Sequence, residues 1–152
     1  MTQAGLDLAN VVSALNRILE TELAAVVRYI HWSLMVFGHN RIPIVEWLRR
    51  QADEALRHAE RAGELITHLG AHPSLGIGKL LETQRHAVRE ILEESHDTER
   101  EALGLYHELL DLVRDRSILL EEYARELIAT EEQHLGEVEK MLRSPGESAA
   151  TK

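Results

Sequence analysis

The tightest constraint on this chain is a set of ionisable side chains lying in the middle of apolar helix faces. The clearest case is Glu131-Glu132-Gln133-His134. With His134 as origin and ~100° per residue, Leu120, Tyr123, Leu127, Val138 and Met141 fall within ~40° of it. Glu131 lies ~60° away, so both polar groups interrupt the apolar stripe. A carboxylate and an imidazole that face a core need partners, and a metal ion is the commonest partner for that pair.

Three further stripes repeat the pattern. The first helix is expected from about Leu8 to Phe37, with Val11, Leu15, Ile18, Leu19, Val26, Tyr29, Ser33 and Phe37 on its inner face and Glu22 at the centre. Glu20 points to the far side. The second is expected from about Pro43 to Leu69, since proline is tolerated in a first helical turn. Its stripe of Ile44, Trp47, Leu48, Gln51, Ala62, Leu65 and Leu69 has His58 at its centre. The third is expected from about Leu80 to Val113, with Val88, Leu92, Ser95, Leu103, Tyr106 and Leu110 around Glu99. Glu93, Glu94, Glu101 and Glu108 read as a solvated face. The fourth runs from about Ser117 to Leu142.

The segment from Gly70 to about Lys79 holds Gly70, Pro73, Gly76 and Gly78 and has no helical period. Ten extended residues reach ~34 Å, close to the ~40 Å of a 27-residue helix. The segment therefore fits a long crossover between the second and third helices. The chain reads as one all-α domain over residues 1–143, followed by a flexible polar tail over 144–152.

Composition removes several classes of function. The 152 residues contain no cysteine, which excludes disulfides, thiolate zinc sites, iron–sulfur clusters and thiol catalysis. A net charge of −9 argues against nucleic acid and anionic membrane as partners and suits a protein that attracts cations. The longest apolar run, Leu23 to Phe37, is interrupted by Arg28 and His31 and is shorter than the roughly 20 residues of a membrane span. The start, Met1 to Gly5, lacks the basic and apolar regions of a signal peptide, so a cytoplasmic location is the expectation. His31, His39, His68, His72, His86, His96 and His107 form no spaced constellation and read as surface or loop residues.

The two halves echo each other. Glu22 is followed by Ala25 and Tyr29, and Glu99 by Ala102 and Tyr106, at the same offsets. His58 and His134 follow their glutamates at nearly equal distances. Glu22 to Tyr29, His58-Ala59-Glu60, Glu99 to Ala102 with Tyr106, and Glu131 to His134 occur in the order and spacing of one known group. Over about residues 8–142 the chain resembles the ferritin-like superfamily, and within it the bacterioferritin type.

The resemblance implies a ferritin-like four-helix bundle with a long crossover between helices two and three. It implies an iron-binding protein that oxidises Fe(II) with O2 or peroxide, for storage or detoxification, and assembles at least as a dimer. Glu22 and Glu99 would be terminal ligands, His58 and His134 would each cap one iron, and Glu131 would bridge. Tyr29 and Tyr106 would hydrogen-bond ligand carboxylates.

The match has departures. The family's second bridging glutamate, three residues before the second-helix histidine, is here Ala55, and the nearest acid is Glu54. Either a one-residue bulge or a side-chain shift brings Glu54 to the metals, or the bridge is lost and the site holds one metal, or two weakly. The haem-ligating methionine position holds Leu56, so no haem is expected. Two other functions share these residues: a degenerate bundle with a structural or binding role, and a di-metal oxidase or peroxidase with another substrate.

Overall fold

A computed structural model describes residues 5–146. Four long helices account for its regular structure: α1 (Leu8–Met35), α2 (Arg41–His68), α3 (Val88–Val113) and α4 (Ile118–Leu142). The described residues include no strand. Residues 147–152 of the expected tail lie outside the described residues.

Local chemistry sets most helix ends. Asp7 caps α1 by accepting from the Asn10 N–H at 3.2 Å, and Ser117 caps α4 through the Leu120 N–H at 3.3 Å. At α3 the Glu90 carboxylate reaches back to the Ala87 N–H at 3.2 Å. Gly38 (φ 103°) and Gly70 (φ 80°) take left-handed conformations just beyond α1 and α2. Pro43 lies inside the first turn of α2, where its missing N–H breaks no helical bond.

α1 packs on α2, α3 packs on α4, and α1 packs on α3. Side-chain pairs fix the directions. Arg17 meets Glu108 while Arg28 meets Thr98, so α1 and α3 are antiparallel. Glu54 meets His134 while Arg61 meets Glu126, so α2 and α4 are also antiparallel. The short links after α1 and α3 make antiparallel hairpins. Consequently α2 and α3 run parallel, and the chain between them must travel the length of the bundle.

That crossover is longer than the sequence implied. Leu80 to His86 is not helical, and α3 begins at Val88. Gln84 takes φ 59°, a left-handed conformation that no α-helix contains, and it ends any helical reading of this stretch. The crossover climbs along α1. Asn16 Oδ1 accepts from the Ser74 N–H at 2.8 Å, the Glu20 carbonyl from the Gly78 N–H at 2.9 Å, and His31 meets Glu82 at 2.5 Å. From Asn16 to His31 is roughly 22 Å of helix. The covering segment also corrects the reading of Glu94 as solvated. Glu94 is buried and accepts a hydrogen bond from the Thr83 hydroxyl.

The core falls into two apolar clusters. One contains Leu15, Ile18, Leu19, Ala59, Ala62, Tyr106, Leu120 and Leu127 among others; the second contains Ala25, Tyr29, Trp32, Leu48, Ala55 and Ile91. On α1, α2 and α3 the residues between the two clusters include Glu22, His58 and Glu99, all buried. A polar belt therefore separates the two halves of the core.

Candidate metal centre

Each of the four helices contributes to that belt. Two groups of three potential ligands converge: Glu22, His58 and Glu131, and Glu99, Glu131 and His134. Within each group the nitrogen and oxygen atoms lie within 4.8 Å of one another. Glu131 belongs to both and is 1% exposed. Its Oε1 stands 3.5 Å from His58 Nδ1, and its Oε2 stands 3.8 Å from His134 Nδ1. Glu22 Oε1 is 3.6 Å from His58 Nδ1, and Glu99 Oε2 is 4.0 Å from His134 Nδ1. The centre thus has twofold pseudosymmetry, as the repeated Glu–Ala–Tyr spacing implied.

The spacings discriminate between two uses of these atoms. Gaps of 3.5 to 4.0 Å are too long for good hydrogen bonds. Donor atoms bound at ~2.1 Å to one tetrahedral ion lie ~3.4 Å apart, close to what is seen. Glu131 Oε2 and His134 Nδ1 are buried with no hydrogen-bond partner. Such orphaned polar atoms are costly unless another group satisfies them, and this donor set fits a divalent metal such as iron.

The outer contacts are made by other residues. Tyr29 donates to Glu99 Oε1 at 2.5 Å and pairs with Ser95 Oγ at 2.9 Å, while Tyr106 donates to Glu22 Oε1 at 2.9 Å. Each tyrosine serves the glutamate of the other half of the repeat. At Glu99 the bond falls on Oε1 and leaves Oε2 for His134, while at Glu22 Oε1 both accepts from Tyr106 and faces His58; in each case the tyrosine holds the carboxylate's orientation.

Glu54 occupies a different place from the other five expected ligands. It belongs to neither group of three. Its Oε2 lies 3.0 Å from His134 Nε2, and its Oε1 lies 3.8 Å from His58 Nε2. It therefore approaches both imidazoles on the nitrogen opposite the one facing the centre. Helix α2 is regular through this stretch, with no bulge to turn Glu54 inward. Ala55 is buried and brings no oxygen.

Charge is distributed unevenly over the centre. Burial disfavours the charged form of His58, but Glu131 and Glu22 outweigh it and push the imidazole up to about 10. For His134, Glu131, Glu54 and Glu99 similarly overcome burial and raise it to about 12. Burial and the neighbouring Glu99 raise Glu131 to about 8. Burial opposes ionisation of Glu99 too, yet the neighbouring Glu131 and His134 and the Tyr29 hydroxyl hold it down at about 2. Burial raises Glu22, against the opposing pull of His58. Of the two adjacent carboxylates, then, Glu131 is pushed up and Glu99 down.

One histidine cluster had no signal in the sequence. His31 and His86, both read as isolated surface or loop residues, converge on Glu82. The three lie far apart in sequence or on a non-helical segment, so no periodicity relates them.

Comparison with known proteins places this geometry. The ferritin-like domain model matches residues 12–145. No curated protein matches the chain significantly in sequence. Among solved structures, a ferritin-like, diiron-carboxylate protein from Bacillus anthracis str. Ames is 24% identical with TM-score 0.84, over 94% of this chain and 100% of that one. A dodecameric thioferritin, the bacterioferritin-related protein of Bacteroides fragilis, is 23% identical with TM-score 0.85, over 92% and 88%. The bacterioferritin of Desulfovibrio desulfuricans, whose structure describes a diiron site in different catalytic states, is 26% identical with TM-score 0.80, over 89% and 79%. With four helices, a long crossover and a carboxylate–histidine belt at mid-bundle, this chain belongs to the ferritin-like domain family.

Proposed function

We propose that this protein is a bacterioferritin-type iron-binding oxidoreductase, which takes up Fe(II) and oxidises it with O2 or peroxide for storage or detoxification. Glu131 carries the reading: a buried carboxylate whose two oxygens face the Nδ1 atoms of two histidines, with one oxygen and one Nδ1 unpartnered. In this reading Glu22, His58 and Glu131 hold one iron and Glu99, Glu131 and His134 hold the other. A pair of Fe(II) ions supplies two electrons to the oxidant. The chain's own residues supply the rest. Tyr29 and Tyr106 keep Glu99 and Glu22 aimed inward. The apolar clusters above and below exclude bulk water, which strengthens each charge interaction. His58, His134 and Glu131 release protons as metal enters, because ligands bind in their deprotonated forms.

Glu54 replaces the family bridge by a different role: it holds the outer nitrogen of His134 at 3.0 Å and adds a negative charge 3.8 Å from that of His58. Like the thioferritin of known dodecameric assembly, the chain works as a cytoplasmic homo-oligomer, at least a dimer. Leu56 at the haem-methionine position makes it haem-free. A second reading rests on Ala55: without the second bridging oxygen, the bundle keeps its fold for a structural or binding role.

Anaerobic loading with Fe(II), followed by exposure to air, separates the two. The first reading expects about two irons per chain and rapid growth of near-ultraviolet absorbance. Glu131→Ala should abolish both, while Glu54→Gln should keep binding but weaken it ~10–100-fold. One iron or none, with oxidation no faster than in buffer, would sink the first reading.

A further inference from the structure

We propose that His31, Glu82 and His86 form a second, surface site for a divalent transition-metal ion, zinc in the first instance. The three ligands come from two elements, α1 and the last turn of the crossover. Glu82 Oε2 lies 2.5 Å from His31 Nε2, and Glu82 Oε1 lies 3.2 Å from His86 Nε2. All three donor positions fall within 4.8 Å of one another. The two rings stand edge to face with centroids 5.9 Å apart, and the Nε2 of each lies against the same carboxylate. Two imidazoles and a carboxylate are a known zinc ligand set with an open fourth position. Here that position faces solvent, since the side chains of His31, Glu82 and His86 are 46%, 38% and 21% exposed.

The site is assembled by a specific backbone turn. Gln84, at φ 59°, folds the chain back so that His86 returns toward Glu82 although the segment is not helical. The Gln84 N–H donates to Glu82 Oε1 at 2.6 Å and fixes the carboxylate. Among the described residues no lysine or arginine is ion-paired with Glu82; its ion-pair partners are the two histidines. A bound ion would therefore meet no competing lysine or arginine at Glu82. Donor atoms around a tetrahedral zinc lie ~3.4 Å apart, so the site closes on the ion with small side-chain rotations. Binding there would clamp the end of the crossover to α1, independently of the buried centre.

Zinc titration by calorimetry, with zinc alone as the probe, tests the site. In a Glu131→Ala background, which removes the shared ligand of the buried centre, one zinc per chain should still bind and raise the melting temperature. Adding His86→Gln, which keeps a polar group beside Glu82 but cannot replace imidazole as a ligand, should weaken that binding ~100-fold or abolish it. In the otherwise unaltered chain His86→Gln should remove one zinc equivalent and leave the rate of Fe(II) oxidation as it was. That arm decides the matter even if the Glu131→Ala chain folds poorly. Equal zinc stoichiometry with and without His86→Gln, at affinities within tenfold, would overturn the proposal and leave Glu82 as a hydrogen-bonded strap.

Discussion

At the residue scale, the candidate metal centre depends on the side chains that hold its carboxylates as much as on the carboxylates themselves. Glu22 and Glu99 each lie among apolar neighbours, and each has one oxygen bonded to a tyrosine of the opposite half. A buried carboxylate that loses such a donor is left with an unsatisfied oxygen, at a cost of ~1–3 kcal/mol. Tyr106→Phe is expected to destabilise the chain by about that much in urea unfolding. It should also raise Glu22 further, because the Tyr106 hydroxyl lowers it. Metal affinity should fall ~10–100-fold, measurable by competition with a chelator. Unchanged affinity would mean the tyrosine is a core residue only. The two tyrosines could be singled out from sequence because the Glu–Ala–Tyr spacing occurs twice. The place of Glu54 could not. A helical angle puts it near the His58 face, but only packing of α4 against the same region shows that His134 Nε2 is its partner.

At the element scale, the crossover is the part that sequence reading misjudged. Leu80 to Ala87 contains residues with good helix propensity, and nothing local forbids a helix there. What prevents it is docking on α1, through Glu82 to His31 and through Gly78 to the Glu20 carbonyl. Gly78 approaches so closely that an added Cβ would meet the Glu20 carbonyl oxygen at 3.1 Å and Ala24 Cβ at 3.3 Å. Both obstacles belong to the helix and cannot swing away. Gly78→Ala should therefore destabilise by ~1–3 kcal/mol, as overpacking does. Faster proteolysis within residues 70–87 should accompany the loss, since the crossover would lift from α1 first. A Gly78→Ala chain of full stability would show that this contact is not tight in solution.

At the scale of the whole molecule, the belt links protonation to stability. His58 and His134 have folded values well above the ordinary imidazole value of 6.5, and Glu131 is raised from 4.5 to about 8. Above about pH 5 the native chain thus binds more protons than the unfolded one, and stability falls as pH rises. Glu131 contributes that loss mainly between 4.5 and 8, and the histidines between 6.5 and about 10 to 12. Glu99, held near 2, acts in the opposite sense: its contribution is present above 4.5 and is lost as pH falls toward 2. Metal-stripped protein should be most stable near pH 4.5 to 5 and melt progressively earlier as pH rises from there to 9. Metal loading should reverse the alkaline trend, because deprotonated ligands are the ones that bind. Melting curves across that range check both; an alkaline rise in the stripped protein would contradict the protonated belt. Among the described residues no helix is long and apolar enough to cross a membrane, in keeping with stripes whose opposite faces are charged.

The sequence by itself determined the four helices, the long crossover and the inward position of Glu22, His58, Glu99, Glu131 and His134. It could do so because helical periodicity is a local property, and a charged residue on an apolar stripe is visible without a fold. The tertiary structure alone decided which atoms meet. It set the two oxygens of Glu131 against two different histidines and turned Glu54 to their outer nitrogens. It also carried Glu82 and His86 back to His31 along the crossover. Apart from Glu131 and His134, which share a helix, those are contacts between residues tens of positions apart, fixed by how the elements dock and not by the period of any one of them.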